Sequence, residues 1–292
     1  MATKGIVIAI DTKERTADAI ALGRVLAGAT GVPARIVTVF PYDPLKGVDE
    51  PELVPLREEA ERTLAELARA TGLPDAAAEV IPGNFAAREL QRVSEREDTG
   101  LLVVGSTTRG AIGRLLIGGV GERLLAGAAS PVAIAPRGYA ESAPSGLSRI
   151  GVGVDGSDEA QRALDAAVAL ARAAGAELRI ITAFQPIAFG AVTPAALPSS
   201  SANETMRSGL RAVHDAAVAA ARDAVEAEGR FLDGPAEAVL RDESGDLDLL
   251  VAGSRGYGPI GAVLLGSATA PLVREAASPL LLTPRGTRLE LG

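Results

Sequence analysis

The chain has 292 residues, of which 47% are hydrophobic and 23% are charged, so it is long enough for two ordinary globular domains. Its formal net charge of −8 argues against binding to nucleic acid or to an anionic membrane surface, since each needs a basic footprint. Cysteine is absent, which excludes disulfides, thiolate chemistry and cysteine-bound metals.

The amino terminus leads directly into a short strand-like run and does not resemble a signal peptide. No apolar run approaches the length of a membrane span. We therefore expect a cytoplasmic protein that does not contact membranes.

Strands and helices are predicted to alternate through the first half of the chain. The run Gly5 to Asp11 is apolar and β-branched and ends in an acid, which is typical of a buried parallel strand. Further strands are predicted at 34–40, 78–81, 101–104 and 131–136, helices at 16–29, 56–70, 86–96 and 120–128, and a loop at 41–55. Prolines bracket 131–136, a placement that suits an edge strand.

The stretch 137–148 is rich in Gly, Pro and Ser, which predicts a linker, and after it the pattern starts again. Strands are predicted at 149–155, 177–183, 229–232, 247–252 and 279–284, helices at 158–174, 204–227 and 236–242, and a long loop at 186–202. A final helix follows a second glycine-rich stretch. We take the two domains as 1–142 and 143–292.

The chain is an internal duplication, in which Asp11 aligns with Asp155 and Gly105 aligns with Gly253. The alternation predicts two tandem Rossmann-like α/β domains, each a parallel sheet with helices on both faces. Ligands bind such sheets outside the carboxyl ends of the strands. If each half has five strands in the order 3-2-1-4-5, the acid and the glycine-rich stretch converge on one crevice.

Common phosphate motifs do not fit the glycine-rich stretches. There is no G-x-x-x-x-G-K-[ST] sequence, which argues against a P-loop. G-x-G-x-x-G occurs at 151–156, where it lies inside a predicted strand, and at 256–261, where Gly266 interrupts the following helix. The second match also lacks the downstream acid that a dinucleotide site needs. We discount both.

The spacing that does fit is Gly253-x2-Gly256-x9-Gly266-Ser267, which resembles the nucleotide motif of the ATP-binding branch of the universal stress protein family. The stretches 151–157, 251–256 and 278–284 are similar to that family's first strand, fourth strand and turn, and closing strand. The resemblance covers both copies. It implies two tandem adenine nucleotide alpha hydrolase-like domains, each with sheet order 3-2-1-4-5.

The resemblance implies that the second copy binds ATP and Mg²⁺. The acid lies near the ribose and would meet the metal indirectly, through the metal-bound phosphates, and the glycine turn and the G-S pair wrap the phosphates. The implicated residues are Val154, Asp155, Gly156, Ser157, Ala183, Gly253, Arg255, Gly256, Gly266, Ser267 and Ala268. Of these, Val154 and Ala183 would face the adenine. The alternative is that the glycines only close a tight turn.

The first copy departs from the motif. Thr108 stands where the second glycine belongs, and its Cβ restricts a left-handed turn. Gly119 stands where a Ser or Thr hydroxyl belongs. Asp11, Gly105, Gly118 and Gly119 remain as the candidate binding residues of this copy. Whether it binds ATP stays open at the level of sequence.

His214 is the only histidine. It lies in a predicted Ala-rich helix with no metal or triad partner in the neighbouring sequence, so we expect a surface or half-buried structural role. The loop 186–202 is either a lid over the second site or a simple connection.

Three functions are open. The leading one is an ATP-binding, nucleotide-dependent regulator of the stress response, with no catalytic residue assigned. The second is a slow ATP hydrolase or nucleotidyl-transferring enzyme of the same superfamily, in which Asp155 would work with Mg²⁺. The third is a nucleotide-free interaction scaffold. The resemblance also implies that 132–135 pairs with 280–283 as a pseudo-dimer within one chain, and we expect a homodimer of such chains.

Overall fold

The computed structural model describes residues 4–11, 16–40, 50–71, 77–106, 119–186, 199–254 and 269–291. The first half contains β1 Gly5–Ile10, α1 Thr16–Thr30, β2 Ala34–Phe40, α2 Glu50–Ala70, β3 Ala77–Pro82, α3 Ala86–Ser94, β4 Thr99–Gly105, α4 Gly119–Gly127 and β5 Val132–Ala135. A short helix, α5 Tyr139–Ser142, follows. The second half contains β6 Arg149–Gly153, α6 Asp158–Ala174, β7 Glu177–Phe184, α7 Ser199–Arg222, β8 Ala227–Asp233, α8 Ala236–Glu243, β9 Leu249–Gly253, α9 Thr269–Glu275 and β10 Leu280–Thr283.

The strands of the described residues form one ten-stranded sheet in the order β3-β2-β1-β4-β5-β10-β9-β6-β7-β8. Each half has the predicted order 3-2-1-4-5, and its neighbouring strands are parallel. The halves join where β5 pairs antiparallel with β10, with Ala133 opposite Leu281. The α/β fold and the pairing of the two last strands within one chain are therefore confirmed.

The prolines that bracket β5 and β10 suggested edge strands, but neither strand is an edge of the whole sheet. Each is the edge of its own half, but the antiparallel pairing puts both at the centre. Proline lacks only the N–H, so its carbonyl still serves the ladder. The Leu102 N–H donates to the Pro131 carbonyl at 3.0 Å, and the Leu250 N–H donates to the Pro279 carbonyl at 2.9 Å.

The antiparallel joint sets the position of the two expected crevices. Strands within each half are parallel, so the strands of one half all run opposite to those of the other. The carboxyl ends of the strands in one half consequently lie on the same side of the sheet as the amino ends of the strands in the other half. Any ligand bound at one carboxyl edge is separated from the other site by the length of the strands.

The inner strands are mostly apolar because both faces of the sheet are covered there, whereas the outermost strands β3 and β8 carry charged, partly exposed residues. In β1, Ile6, Ile8 and Ile10 pack into the core cluster that contains α1 and α6, while Val7 and Ala9 pack into the cluster on the opposite face. Successive strand side chains point to opposite faces, so a strand buried on both sides needs no polar residue. Both clusters draw residues from the two halves. Within the described helices, none has both the length and the apolarity that a membrane crossing requires.

Three helix boundaries differ from the sequence-based predictions by five residues or more. Helix α2 begins at Glu50, inside the predicted 41–55 loop, and α7 begins at Ser199, inside the predicted 186–202 loop. Helix α7 also ends at Arg222, five residues before the predicted end at Ala227. Ala227 instead begins β8, opposite Leu178 of β7, so sheet pairing overrides the helix propensity of this Ala-rich stretch. Residues 41–49 and 187–198 of these two loops lie outside the described residues.

The stretch between the halves is held at both ends by carboxylates. Asp18 of α1 accepts the N–H groups of Gly138 and Ala140 at 2.9 and 2.8 Å. Asp248, just before β9, accepts the N–H groups of Ser148 and Arg149 at 2.7 and 2.9 Å. This stretch is therefore a fixed connection, and Asp248 has a structural role.

We expect Leu281→Ala to lower the free energy of unfolding by about 2–5 kcal/mol, because it opens a cavity in the core shared by the two halves. Leu281 is 0% exposed and sits opposite Ala133 at the joint. Urea unfolding measures the change. Val120→Ala is the control, since Val120 is 49% exposed, and we expect it to change stability by at most about 0.5 kcal/mol. Equal effects of the two substitutions would contradict a packed joint.

Candidate functional site

The carboxyl edge of the second half brings Asp155 and Gly253 together, as the strand order predicts. Strands β6 and β9 are parallel neighbours, with Val152 opposite Val251. Continuing that register by two residues puts Gly253 opposite Val154, next to Asp155. The end of β6 and the end of β9 thus form adjacent walls of one crevice.

The turn after β6 is held by its own side chains. The Asp155 carboxylate accepts the Ser157 N–H at 3.0 Å and the Ser157 hydroxyl at 2.6 Å. Ser157 is the N-cap of α6, and its Oγ accepts the Ala160 N–H at 3.2 Å. Gly156 between them has φ +82°, a left-handed conformation that favours glycine. Asp155 is exposed at the start of α6, so its carboxylate borders the crevice while it supports the turn.

The ends of β6 and β7 leave one main-chain donor and one acceptor beside the crevice. Val154 donates its N–H to the Ile181 carbonyl at 2.9 Å, and its carbonyl accepts the Thr182 hydroxyl at 2.9 Å. The Val154 backbone is therefore used by the fold. The Ile181 carbonyl faces β6, and backbone groups alternate sides along a strand, so the N–H and C=O of Ala183 also face the β6 side, beyond the last ladder bond.

Gly253 is required by packing. A Cβ built on it would lie 2.7 Å from both the carbonyl carbon and the carbonyl oxygen of Glu159, in the first turn of α6. The next residue, Ser254, is 2% exposed and donates its N–H and its hydroxyl to the Thr283 carbonyl at 3.1 and 3.2 Å. The Gly-Ser pair that ends β9 therefore positions the strand against α6 and β10.

His214 of α7 is buried, with 3% exposure, which corrects the expectation of a surface or half-buried residue. Its Nδ1 lies 3.0 Å from Thr182 Oγ1. Because the Thr182 hydroxyl donates its proton to Val154, we infer that Nδ1 carries a proton and donates to Thr182. The ring meets Phe231 edge-on at 5.7 Å, and Gly229 makes room for it, since a Cβ there would lie 2.5 Å from Nε2. Burial lowers the pKa of His214 below its ordinary value.

A cluster of arginine and phenylalanine side chains, not anticipated from the sequence, holds the first half of α7 on the sheet. The Arg207 guanidinium lies 5.1 Å from the Phe184 ring centre and 5.5 Å from that of Phe231, and Arg211 lies 3.9 Å from Phe231. Arg207 also pairs with Asp233 and lowers the pKa of that carboxyl group. The sequence signal that could have revealed this cluster is the i, i+4 spacing of Arg207 and Arg211, which share a helix face with His214.

The first copy has the same strand geometry. With Ile8 opposite Val103, the register puts Gly105 opposite Ile10, beside Asp11. The Thr38 hydroxyl donates to the Ile10 carbonyl at 3.1 Å, which matches the bond from Thr182 to Val154. Asp11 is exposed, and its backbone carbonyl accepts the Thr16 hydroxyl. The fold therefore brings an acid and a glycine together at the carboxyl ends of the strands in both halves.

The predicted site extends beyond the described residues. Gly119 is exposed at the first position of α4, and a Cβ added there would meet nothing within 4 Å. Arg255, Gly256, Gly266, Ser267, Ala268 and Gly118 lie outside the described residues. In the described part of the chain, no group of three His, Asp or Glu side chains is arranged to hold a metal. The single exposed carboxylate of Asp155 fits Mg²⁺ bound mainly through phosphates.

Comparison with known proteins identifies both halves. The model of the universal stress protein family matches residues 3–136 and 146–284. A universal stress protein encoded 3′ of a QAH/OAS sulfhydrylase in Thermus aquaticus is 39% identical over 132 residues, covering 44% of this chain and 92% of the relative. Universal stress protein YxiE of Bacillus subtilis strain 168 is 33% identical over 141 residues, covering 45% and 95%. The crystal structure of a universal stress protein from Archaeoglobus fulgidus DSM 4304 shares the fold along 98% of this chain and 100% of its own, with a TM-score of 0.69 and 23% identity.

We expect Gly253→Ala to destabilise the protein by about 1–3 kcal/mol, because the new methyl group meets backbone atoms that cannot move aside cheaply. Gly146→Ala is the matched control, since a Cβ there has nothing within 4 Å. Thermal unfolding without added ligand compares the two. An unchanged midpoint for Gly253→Ala would contradict the requirement for glycine that packing against Glu159 predicts.

The buried His214 predicts a pH dependence of stability. Its pKa is lowered in the folded protein, so the unfolded chain binds a proton first as the pH falls. The contribution of neutral His214 to the free energy of unfolding is complete above about pH 6.5, the ordinary pKa of histidine. That contribution decreases as the pH falls below this value. Urea unfolding across this range should show a steeper loss for the wild type than for His214→Leu, since other titrating groups are common to both. Parallel curves would contradict the assignment.

Proposed function

We propose, from the premise that this chain belongs to the universal stress protein family, that it is an ATP-binding regulator of the stress response. In this proposal Mg-ATP binds chiefly at the carboxyl edge of the second copy. Binding changes the conformation that the protein presents to partners or to another copy of itself. The single observation that carries the proposal is the complete G-x2-G-x9-G-S motif starting at Gly253, at a strand end that lies beside Asp155.

The geometry of the β7 end supports an adenine base. Adenine offers one acceptor, N1, next to one donor, the N6 amino group. The N–H and C=O of Ala183 face the crevice side of β7 and supply the complementary pair. The side chain of Val154, whose backbone is already hydrogen-bonded, would pack against the ring. Guanine presents a donor at N1 and an acceptor at O6, so the same backbone pair disfavours it.

The phosphates are assigned to the glycine-rich stretch. Gly256 and Gly266 would allow close approach of the main chain, and the Ser267 hydroxyl and N–H would donate to a phosphate oxygen. Arg255, Ala268 and Gly253 complete this part of the proposed site. Bound Mg²⁺ would neutralise charge on the phosphates.

The turn after β6 is assigned to the ribose and the metal-bound phosphates. Asp155 borders the crevice, and Gly156 and Ser157 hold its carboxylate in place. In the first copy the corresponding proposed residues are Asp11, Gly105, Gly118 and Gly119. The motif there lacks its second glycine and its hydroxyl, so we assign the principal site to the second copy.

The test is nucleotide content and calorimetry on the full chain. Purified protein should release adenine nucleotide when denatured, and the stripped protein should bind Mg-ATP. We expect Gly266→Val to reduce affinity by at least about tenfold, equivalent to about 1.4 kcal/mol, because a branched side chain blocks the approach of the phosphates. Gly118→Val, the matched change in the first copy, should retain most of the binding.

Absence of released nucleotide together with no calorimetric binding of Mg-ATP by the wild type would overturn the proposal. Equal losses in the two valine variants would leave ATP binding standing but contradict its assignment to the second copy.

A further inference from the structure

Helix α7 exposes an apolar strip next to the proposed site. Five large hydrophobic side chains are exposed in the described residues, and two of them, Met206 at 47% and Val213 at 37%, belong to α7. They are seven residues apart, so they lie on the same side of the helix, with Gly209 and Leu210 between them. We call these four residues the α7 flank.

The α7 flank is continuous with the crevice. A Cβ built on Gly156 would lie 3.2 Å from Val213 Cγ1, so Val213 packs directly on the turn after β6. At the other end, Arg207 stacks on Phe184, the neighbour of Ala183. This part of α7 therefore spans the ends of β6 and β7, where the base is proposed to bind. Seven residues of helix rise about 10 Å, enough to cover a purine ring.

Gly209 makes a notch in the middle of this strip. It is exposed, it is helical, and a Cβ there would have nothing within 4 Å. Neither the backbone conformation nor a neighbouring atom requires glycine. Glycine in a helix interior is less favourable than alanine, because it has more backbone freedom to lose. A need for a flat opening between Met206 and Val213 would explain why glycine occupies position 209, where the fold itself does not require it.

We propose that the α7 flank covers one face of the adenine ring of the nucleotide bound in the second copy, an inference that rests on the proposed function. The edge of the ring is read by Ala183, and its face lies on Gly209 between Met206 and Val213. The Met206 thioether supplies a polarisable contact to an aromatic ring. The occupant is a planar base and not a second protein, because the strip adjoins Gly156 inside the crevice.

The first copy provides an internal comparison. Leu64 and Ala68 of α2 are buried against the sheet at the same spacing as His214 and Val218 of α7. When Leu64 is aligned with His214, and Ala68 with Val218, the four residues of the α7 flank correspond to Leu56, Glu59, Ala60 and Thr63.

That corresponding face of α2 is not an apolar notch. Glu59 stands at the position of Gly209 and forms an ion pair with Arg62 at 2.7 Å. Thr63 stands at the position of Val213. The inferred coverage of the base is thus confined to the second copy, the same copy that keeps the complete phosphate motif.

The chain contains two methionines, Met1 and Met206, which permits a direct test. The full chain is labelled with ¹³C at the methionine methyl groups, and the Met206 signal is identified from the spectrum of Met206→Leu. Saturating Mg-ATP should shift that signal upfield through the ring current of the base and produce an NOE to adenine H2 or H8. Calorimetric binding of ATP with neither effect would overturn the inference and leave the proposed function intact.

Gly209→Leu supplies the second measurement, since it fills the notch without a clash. Thermal stability should stay at or above the wild-type value, while ATP affinity should fall by about tenfold or more. Gly28→Leu in α1 is the matched control, because Gly28 is also a helical glycine with open space around its Cβ. It should leave ATP affinity unchanged.

The outcomes separate the two proposals. Wild-type affinity in Gly209→Leu would overturn the coverage of the base, as would an equal loss in Gly28→Leu. If Gly209→Leu fails to fold, the spectrum of the wild-type protein decides alone. Failure of the wild type to bind ATP at all would overturn the proposed function, and with it this inference.

Discussion

The antiparallel pairing of β5 with β10 is the constraint on which the rest of the architecture depends. Both strands are fully buried, so an unpaired edge there would leave main-chain groups without water or partners. Pairing Leu280, Leu281 and Leu282 with Ile134, Ala133 and Val132 removes that edge and makes both core clusters continuous through the molecule. It also reverses the strand direction between the halves, which separates the two crevices.

At the crevice of the second copy, several residues of the glycine- and serine-containing turns already serve the fold. Ser157 caps α6, Ser254 holds the end of β9 to β10, and Gly253 gives space to α6. These roles explain why such residues occur at a strand end whether or not a nucleotide binds. The case for a base therefore rests on groups that the fold leaves available, which are the Ala183 backbone pair and the α7 flank.

The two copies share the same strand geometry at the crevice and differ in the side chains around it. Thr38 and Thr182 make equivalent bonds to the ends of β1 and β6. In the second copy His214 contacts the Thr182 hydroxyl, and the arginine–phenylalanine cluster holds the first half of α7 on the sheet. In the first copy Leu64 fills the place of His214. The divergence therefore extends beyond the glycine-rich stretches to the helix beside the crevice.

The sequence by itself determined the alternation of strands and helices and the duplication, because apolar runs and turn residues are local signals. The strand order, and with it the proximity of Asp155 to Gly253, was implied by the family resemblance and is confirmed by the sheet. Only the tertiary structure decided features that depend on distant partners. Helix α7 ends early because Ala227 pairs with Leu178. His214 is buried because its Nδ1 finds a hydrogen-bond partner in the Thr182 hydroxyl and Gly229, on another strand, makes room for its ring. The bracketing prolines mark central strands because each strand finds its partner in the other half of the chain.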